Sequence, residues 1–237
     1  MIAAIHQANF IPWQGYFYKI ACCDVFVFLD TVQFTKNGYQ NRNRIKTAQG
    51  IQWLTVPVRI SGKFGQLSNE VTIDNHIDWS SKVWKTLQLN YSKAKYFKDY
   101  SDYFEDLFTR KWELLGELNT TVLLKIMEWL DLNPKILLAS GMKADGKSSE
   151  LLVNICSELN ADIYLSGFGG DKYMDHELFS AKDIIVRTYD FVSPVYPQLF
   201  GEFIPNLSII DLLFNCGPES RNILLSAGQG IRVNQKK

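Results

Sequence analysis

The sequence predicts an α/β fold: a mostly parallel sheet with flanking helices, carrying a small β-hairpin unit and a helical section. Three observations lead there. Short, almost purely apolar runs of strand length occur at Ile2–Ile5, Val25–Leu29, Lys135–Ala139 and Ile163–Leu165. Such runs are what strands buried on both faces require. Stretches with helical spacing separate them, so strand and helix alternate as in βαβ units. Between about 36 and 75 the pattern changes to period two, and between about 77 and 132 it is helical throughout. The expected organisation is one α/β domain over 1–237, with a hairpin insertion and a helical section at those places.

The first unit runs from Ile2 to Leu29. The polar loop His6–Asn9 follows the first strand directly. Pro12 suits a helix entry, since proline is tolerated in the first turn. Trp13, Tyr16, Phe17 and Ile20 then recur at helical spacing and should face the core. Gly15 inside that helix costs about 1 kcal/mol relative to alanine, which suggests that another group approaches the backbone there. The βαβ order puts His6 and Asp30 at the carboxyl ends of two parallel strands, the edge where open α/β sheets bind ligands.

Gln40–Lys46 and Ile51–Val58 form two strands turning at Ala48-Gln49-Gly50. Gly62–Gly65 is a mobile loop and Val71–Ile73 a further short strand. In the helical section Trp79, Val83, Leu87 and Tyr91 make one stripe. Tyr103, Leu107, Lys111 and Leu114 make a second, and Val122, Leu123, Ile126, Met127 and Leu130 a third, until Pro134 ends the run. Ser148 or Ser149 should cap a helix over 149–160 with Leu151, Leu152, Ile155 and Leu159 inward. Ile184–Thr188 is another strand and Leu207–Asn215 another helix.

Composition narrows the function. Of 237 residues, 46% are hydrophobic and 14% aromatic, enough for a full core. The 25 acidic and 25 basic residues cancel, which argues against a nucleic-acid binder. No apolar run approaches the eighteen or so residues of a membrane span. The N-terminus lacks a signal pattern, so a cytoplasmic location is expected. The four cysteines and three histidines show neither metal-ligand nor disulfide spacing, so no metal is expected.

Four clusters carry chemistry. His6 stands with Gln7, Asn9, Lys19 and Asp30 at one sheet edge, where a histidine can serve as general base. Its alternative is a neutral ring that satisfies loop backbone groups. On a strand Arg42, Arg44 and Lys46 share a face opposite Asn41, Asn43 and Ile45. A row of cations suits diphosphate oxygens, and equally suits a charged edge strand that resists aggregation. Gly141-Met142-Lys143-Ala144-Asp145-Gly146-Lys147-Ser148 fits the P-loop pattern, although Ile184–Asp190 is a poor metal-binding partner strand for it. The plainer account is a glycine-bounded loop with a serine cap. Tyr164-Leu165-Ser166-Gly167, followed by Phe168-Gly169-Gly170-Asp171, allows close backbone approach to a ligand. Tyr196, Gln198, Ser208 and Asp211 could join it.

Taken together, His6-Gln7-x-Asn9, Pro12-Trp13-x-Gly15-Tyr16-Phe17, Lys19-Ile20, Asp24, Asp30, Gln33-Phe34, Asn41-Arg42, Trp53-Leu54-Thr55-Val56-Pro57-Val58, Tyr164-Leu165-Ser166-Gly167, Tyr196 with Gln198, and Ser208 with Asp211 resemble the WbqC-like protein family. Ala8 departs from the proline expected there. The resemblance implies a bacterial protein of O-antigen (lipopolysaccharide) or other surface-polysaccharide biosynthesis. It also implies a transferase that places glycine or another acyl group on a nucleotide-linked amino sugar. The opening is similar, more distantly, to pantothenate synthetase and its nucleotidyltransferase relatives. Gly15-Tyr16 stands here where Gly-His would be expected, and the second histidine is missing.

On this basis His6 and Asp30 are the expected catalytic residues. Gln7, Asn9, Trp13, Tyr16, Lys19, Asn41, Arg42, Arg44, Lys46, Ser166, Gly167, Tyr196 and Gln198 are the expected substrate-binding residues. The donor would be a coenzyme A or carrier-protein thioester, with an acyl carrier protein as a partner. The alternatives are ATP-dependent nucleotidyl transfer or carboxylate activation, and a non-enzymatic binding subunit of the same pathway.

Overall fold

In the computed structural model, which describes residues 1–167 and 174–233, the expected α/β fold is present. A six-stranded sheet has the order β5-β2-β1-β6-β7-β8. Its strands are β1 (Ile2–His6), β2 (Val25–Phe28), β5 (Lys135–Leu138), β6 (Ile163–Ser166), β7 (Ile185–Phe191) and β8 (Gly228–Val233). The first five run parallel and β8 runs antiparallel to β7. β3 (Arg42–Thr47) and β4 (Gly50–Thr55) pair separately as an antiparallel hairpin, in which Arg44 faces Trp53 across the strands. β4 ends earlier than the expected Val58, because Val58 instead bridges Ile73.

The apolar runs work as two-faced strands. Ala4, Phe26, Phe28 and Leu165 turn to one core; Ala3, Ile5, Val25, Val27, Tyr164 and Val186 turn to the other. Alternation along each pleat produces this division. The second core is closed by α5 (Ser149–Glu158), through Leu151, Ile155 and Cys156, and by α6 (His176–Ser180), through Phe179. The first is larger. It takes α1 (Gln14–Ala21) and the three helices of the helical section: α2 (Trp79–Tyr91), α3 (Phe97–Thr109) and α4 (Leu115–Trp129). It also takes α7 (Ile209–Cys216) and α8 (Ser220–Ser226).

The stripe Trp79, Val83, Leu87 and Tyr91 is buried as expected. On α3 the buried face is Phe97, Tyr100, Phe104, Leu107 and Phe108. The aromatic content concentrates here, around Phe214 of α7, whose ring meets those of Tyr91, Phe97 and Phe104. Neither serine caps α5 by its side chain: Ser148 has φ 51° with no side-chain bond, and Ser149 Oγ accepts from Asp175 N.

After β5 at one edge the chain crosses the sheet and adds β6 on the far side of β1. The order of strand addition therefore reverses between β1 and β6. Crevices at such reversals, outside the carboxyl ends of the strands, are the usual ligand sites of open α/β sheets. His6 and Gly167 lie at those ends.

Candidate functional site

The loop that follows β1 is held from four directions. Phe10 N donates to Tyr39 O at 3.0 Å. Asn43 Nδ2 donates to Ile11 O at 2.9 Å and Phe10 O at 3.2 Å. Asn119 Nδ2 donates to Ala8 O at 2.8 Å, and Ser208 Oγ to Ile11 O at 2.6 Å. Ile11 sits at φ 39°, a costly conformation for a β-branched residue. These bonds to the carbonyls around it hold it there. The helix therefore begins at Gln14 rather than at Pro12, with Trp13 as an extended N-cap. The group that approaches Gly15 is the indole of Trp13: a Cβ on Gly15 would lie 2.3 Å from it.

A cleft of about 420 Å³ opens beside this loop, lined by His6, Asn9, Trp13, Tyr39, Asn43 and Arg44, among others. His6 is half-buried. Its Nδ1 lies 3.0 Å from Gln7 O, and the Tyr16 hydroxyl donates to the same carbonyl at 2.9 Å. A carbonyl only accepts, so Nδ1 carries the proton and Nε2 keeps its lone pair. The Tyr16 ring stands edge-on to His6 at 4.9 Å. Burial lowers the His6 pKa to about 4, the nearby Lys19 ammonium adds to this, and the Gln7 carbonyl opposes it. The ring is thus a neutral, tautomerically fixed imidazole at neutral pH.

Lys19 does not line the cleft. It is 2% exposed and donates to Ile5 O at 2.8 Å, with burial lowering its pKa to about 8. Gln7 contributes its main-chain carbonyl, as just described. Asn9 is buried on the cleft wall.

The basic strand divides. Arg42 places its guanidinium 4.4 Å from the Trp53 ring centre and donates to Asn37 O. Arg44, 5.9 Å from the same ring, donates to Asn206 O at 3.0 Å and reaches the cleft. The Tyr39 ring packs against Trp53 at 5.8 Å. Tyr39 and Asn206, which line the cleft, and Trp53, which packs behind Arg44 and Tyr39, were not expected there. Trp53 follows from the hairpin register, because it lies directly across from Arg44. Asn206 is 162 residues from Arg44 and has no local signal.

Lys46, expected in the same row, is buried under the segment after β7 and donates to Gln198 Oε1 at 3.2 Å. Asn41 is turned inward and donates to Val56 O at 2.9 Å.

Tyr196 and Gln198 are also placed away from the cleft. They belong to a buried network centred on Asp211, whose carboxylate accepts from Tyr91 Oη at 2.7 Å, Tyr196 Oη at 2.8 Å and Gln198 Nε2 at 2.8 Å. Gln14 Nε2 donates on to Tyr196 Oη at 2.9 Å. Burial raises the Asp211 pKa, and the three donors and Lys46 oppose that. The network ties α1, α2, β3 and α7 together, and so positions the elements around the cleft.

Asp30 is directed to a second cavity on the β2–β5 side. Its carboxylate accepts from Ser140 N at 2.8 Å and from Ser140 Oγ. It therefore does not meet His6 in one pocket. Ser166 is 1% exposed with its hydroxyl directed to Gly167 O at 3.2 Å. It and Gly167 stand at the β6 end of the crevice, and the expected Gly169-Gly170 turn lies outside the described residues.

The Gly141–Ser148 segment does not wrap the start of α5. Lys143 N donates to the Glu158 carboxylate at 3.0 Å, in the last turn of that helix, and Asn154 Nδ2 donates to Asp145 O at 2.8 Å. The segment therefore runs back along the helix, and one of its amides already faces an anion. A phosphate cradle requires the loop amides to converge at the helix N-terminus.

Among the described residues no group of histidine, cysteine and carboxylate side chains could hold a metal ion. No helix of the described residues is long and apolar enough to cross a membrane. An uncharacterized protein, Rv1507c, of Mycobacterium tuberculosis is 40% identical over 224 residues, covering 93% of this chain and 96% of that protein. No solved structure matches the chain. The model of the WbqC-like protein family matches residues 7–223. The match begins at Gln7, directly after His6, and takes in the Asp211 network, and the chain belongs to the WbqC-like protein family.

Proposed function

We propose that the protein transfers an acyl or aminoacyl group, of the glycine type, to the amine of a nucleotide-linked amino sugar in the biosynthesis of a bacterial surface polysaccharide. The observation that carries this is the pairing, in one cleft, of a neutral His6 with Arg44 and Tyr39, both of which pack against Trp53 and, through it, adjoin Arg42 just outside the cleft. Arginine suits a diphosphate through its planar fork of donors. Trp53 and Tyr39 offer aromatic faces to a base or sugar ring. The cleft volume lies within the range of small-molecule sites.

In the proposed reaction the sugar amine attacks the carbonyl carbon of an activated acyl group. His6 Nε2 takes the proton that the amine loses, and the thiol or other carrier departs with the electron pair of the broken bond. Asn9 would orient the carbonyl or the acceptor. Burial holds His6 neutral, with a pKa of about 4, so Nε2 has its lone pair available at neutral pH; a base this weak takes the proton only once the new C–N bond has made the nitrogen acidic.

The test uses the full chain and two readouts. Heat stabilisation by UDP- and dTDP-linked amino sugars, compared with ATP, reports the cleft. Transfer from an acyl or glycyl thioester reports the reaction. Nucleotide-sugar stabilisation that Arg44→Ala removes, with turnover lost in His6→Ala, is expected. Nucleotide-sugar stabilisation that persists in Arg44→Ala would contradict the assignment of the cleft.

A further inference from the structure

The proposed transfer leaves one proton unassigned. An amino sugar in neutral water is mostly an ammonium ion, since an amine of the α-amino type loses its proton at about pH 8. An ammonium ion has no lone pair with which to attack a carbonyl. His6, held at a pKa of about 4 by burial, is weaker than such an amine by about four pKa units, a factor of roughly 10⁴. The first proton must therefore leave by another route, before the attack.

The charges around the cleft bear on that route. Arg44 lines it, and no aspartate or glutamate does. Lys19 lies close enough behind for its charge to lower the His6 pKa. Over residues 31–69, which supply Tyr39 and Arg44, the sequence has six lysines and arginines and no acidic residue. Glu202, on the segment after β7, and Asp190, in β7, lie outside the lining. The Asp211 carboxylate is already taken by three donors, and that of Asp30 by Ser140. The other titratable side chains here are the His6 imidazole and the Tyr16 and Tyr39 phenols, none an anion at neutral pH. The cleft thus meets an amine with cations and no counter-ion. Asn9 supplies a neutral partner instead. It is 8% exposed and lines the cleft. Its side-chain amide has no hydrogen-bond partner among the described residues, yet neither of its polar atoms is sealed from solvent. A buried amide with both atoms unspent and accessible presents one donor group and one acceptor to the cleft.

We propose that the cleft takes its acceptor as the free amine and that Asn9 selects it, with Oδ1 accepting from the amine N–H and Nδ2 donating to the carbonyl oxygen under attack. An uncharged acceptor serves a neutral amine, whereas an ammonium ion beside Arg44 and Lys19 would lose water without gaining a counter-charge. The first proton is then left in solvent on binding. The amine lone pair forms the C–N bond, and the carbonyl π pair moves onto the oxygen held by Asn9. The nitrogen, now acidic, passes its remaining proton to His6 Nε2. The carrier leaves with the electron pair of the broken bond. The inference rests on the proposed function for the identity of the ligand as a nucleotide-linked amino sugar, but it is read from binding and does not require turnover.

The experiment titrates UDP-glucosamine, a UDP-linked 4-amino sugar and UDP-glucose into the full chain by calorimetry between pH 6 and pH 8. UDP-glucose carries a hydroxyl in place of the amine, so the ratio of dissociation constants removes pH effects of the protein and the diphosphate. About 1% of such an amine is neutral at pH 6 and about half at pH 8. Relative to UDP-glucose, at least one amino sugar should therefore bind at least tenfold more tightly at pH 8 than at pH 6. At pH 7 its binding should release about one proton, read from buffers of different ionisation heat, and UDP-glucose should release none. Asn9→Asp places a carboxylate where the amide stood, so it should cancel or reverse the trend and tighten the amino sugar at pH 6 at least tenfold relative to UDP-glucose. A ratio that is flat or worsens with pH, without proton release, would overturn the proposal, as would an Asn9→Asp profile identical to that of the wild type. The proton count requires no variant, so it decides the matter even if Asn9→Asp does not fold. UDP-glucose that binds beside a flat amino-sugar ratio removes this inference alone. Failure of all three sugars to bind removes the cleft assignment, and this inference with it.

Discussion

Replacing Lys19 by methionine should make the protein more stable and His6 more basic. Lys19 is fully enclosed, with a single hydrogen bond to Ile5 O, and no salt bridge of the described residues includes it. Burial lowers its pKa from 10.5 to about 8. About 2.5 pKa units at 1.36 kcal/mol each is roughly 3 kcal/mol of penalty for keeping the folded lysine charged at pH 7. Removing the hydrogen bond returns about 1 kcal/mol of that, so Lys19→Met should gain on the order of 1–2 kcal/mol.

The sign of the pH dependence follows. Below pH 8 both states carry the proton and the penalty is complete. Between pH 8 and 10.5 the folded state has released the proton while the unfolded state still binds it. Stability from this group therefore rises with pH across that window. Cys23 and Cys156, pushed up to about 12 by burial, lower stability as pH rises above 9 in both proteins. The Lys19 charge also holds both thiols lower, so the difference between wild type and variant isolates Lys19 below pH 9, where the thiols keep their protons in both states. Urea unfolding from pH 6 to 9.5 should show an advantage for Lys19→Met that shrinks above pH 8. NMR titration should place the His6 pKa higher in the variant, because the lysine charge helps to lower it. A variant destabilised by more than about 2 kcal/mol at pH 7, with His6 unmoved, would refute the reasoning and make Lys19 a structural requirement.

Other consequences follow from the same geometry. His6→Ala should reduce turnover by about 10²–10⁴-fold with the melting temperature nearly unchanged, and wild-type activity should show no His6 limb between pH 5.5 and 8. Asp211→Leu, measured by denaturant unfolding, should cost more than about 3 kcal/mol, because Tyr91, Tyr196 and Gln198 all lose their acceptor. Gly15→Ala should cost about 1–3 kcal/mol and alter tryptophan emission, because Trp13 must leave its place over residue 15. Ser208→Ala should cost about 1 kcal/mol, since the hydroxyl bonds Ile11 O and accepts from Ile210 N at the start of α7.

Much of the sheet was legible because buried parallel strands must be apolar on both faces. Val25–Phe28 and Ile163–Ser166 leave no other choice. The short α6 and α8 were not expected, and at five and seven residues they offer barely one or two turns of periodicity. The His6 cleft was legible as a sheet edge, since βαβ chirality and order place it there. Its second wall was not. Lys46 shares a strand face with Arg42 and Arg44, as period two requires. The chain near Gln198 and Glu202, about 150 residues later, covers one end of that face and leaves the other open. Tyr196 and Gln198 stand close in sequence to segments at the crevice, yet Asp211 draws them inward. The Gly141–Ser148 pattern is literal, but Glu158 and Asn154, which direct its path, lie outside the motif. Asp30 is two residues past β2, far enough for the chain to turn toward Ser140 and away from His6.

The most direct test of the central claim, that the His6–Arg44 cleft receives a nucleotide-linked substrate, is a UDP titration of the full chain followed by NMR. The reporters are the His6 imidazole nitrogens and the Trp53 indole. Saturable shifts at both, abolished by Arg44→Ala and unaffected by Lys147→Ala, are predicted. Shifts that are absent from His6 and Trp53, or that vanish in Lys147→Ala, would contradict the account and move the nucleotide to the Gly141–Ser148 segment.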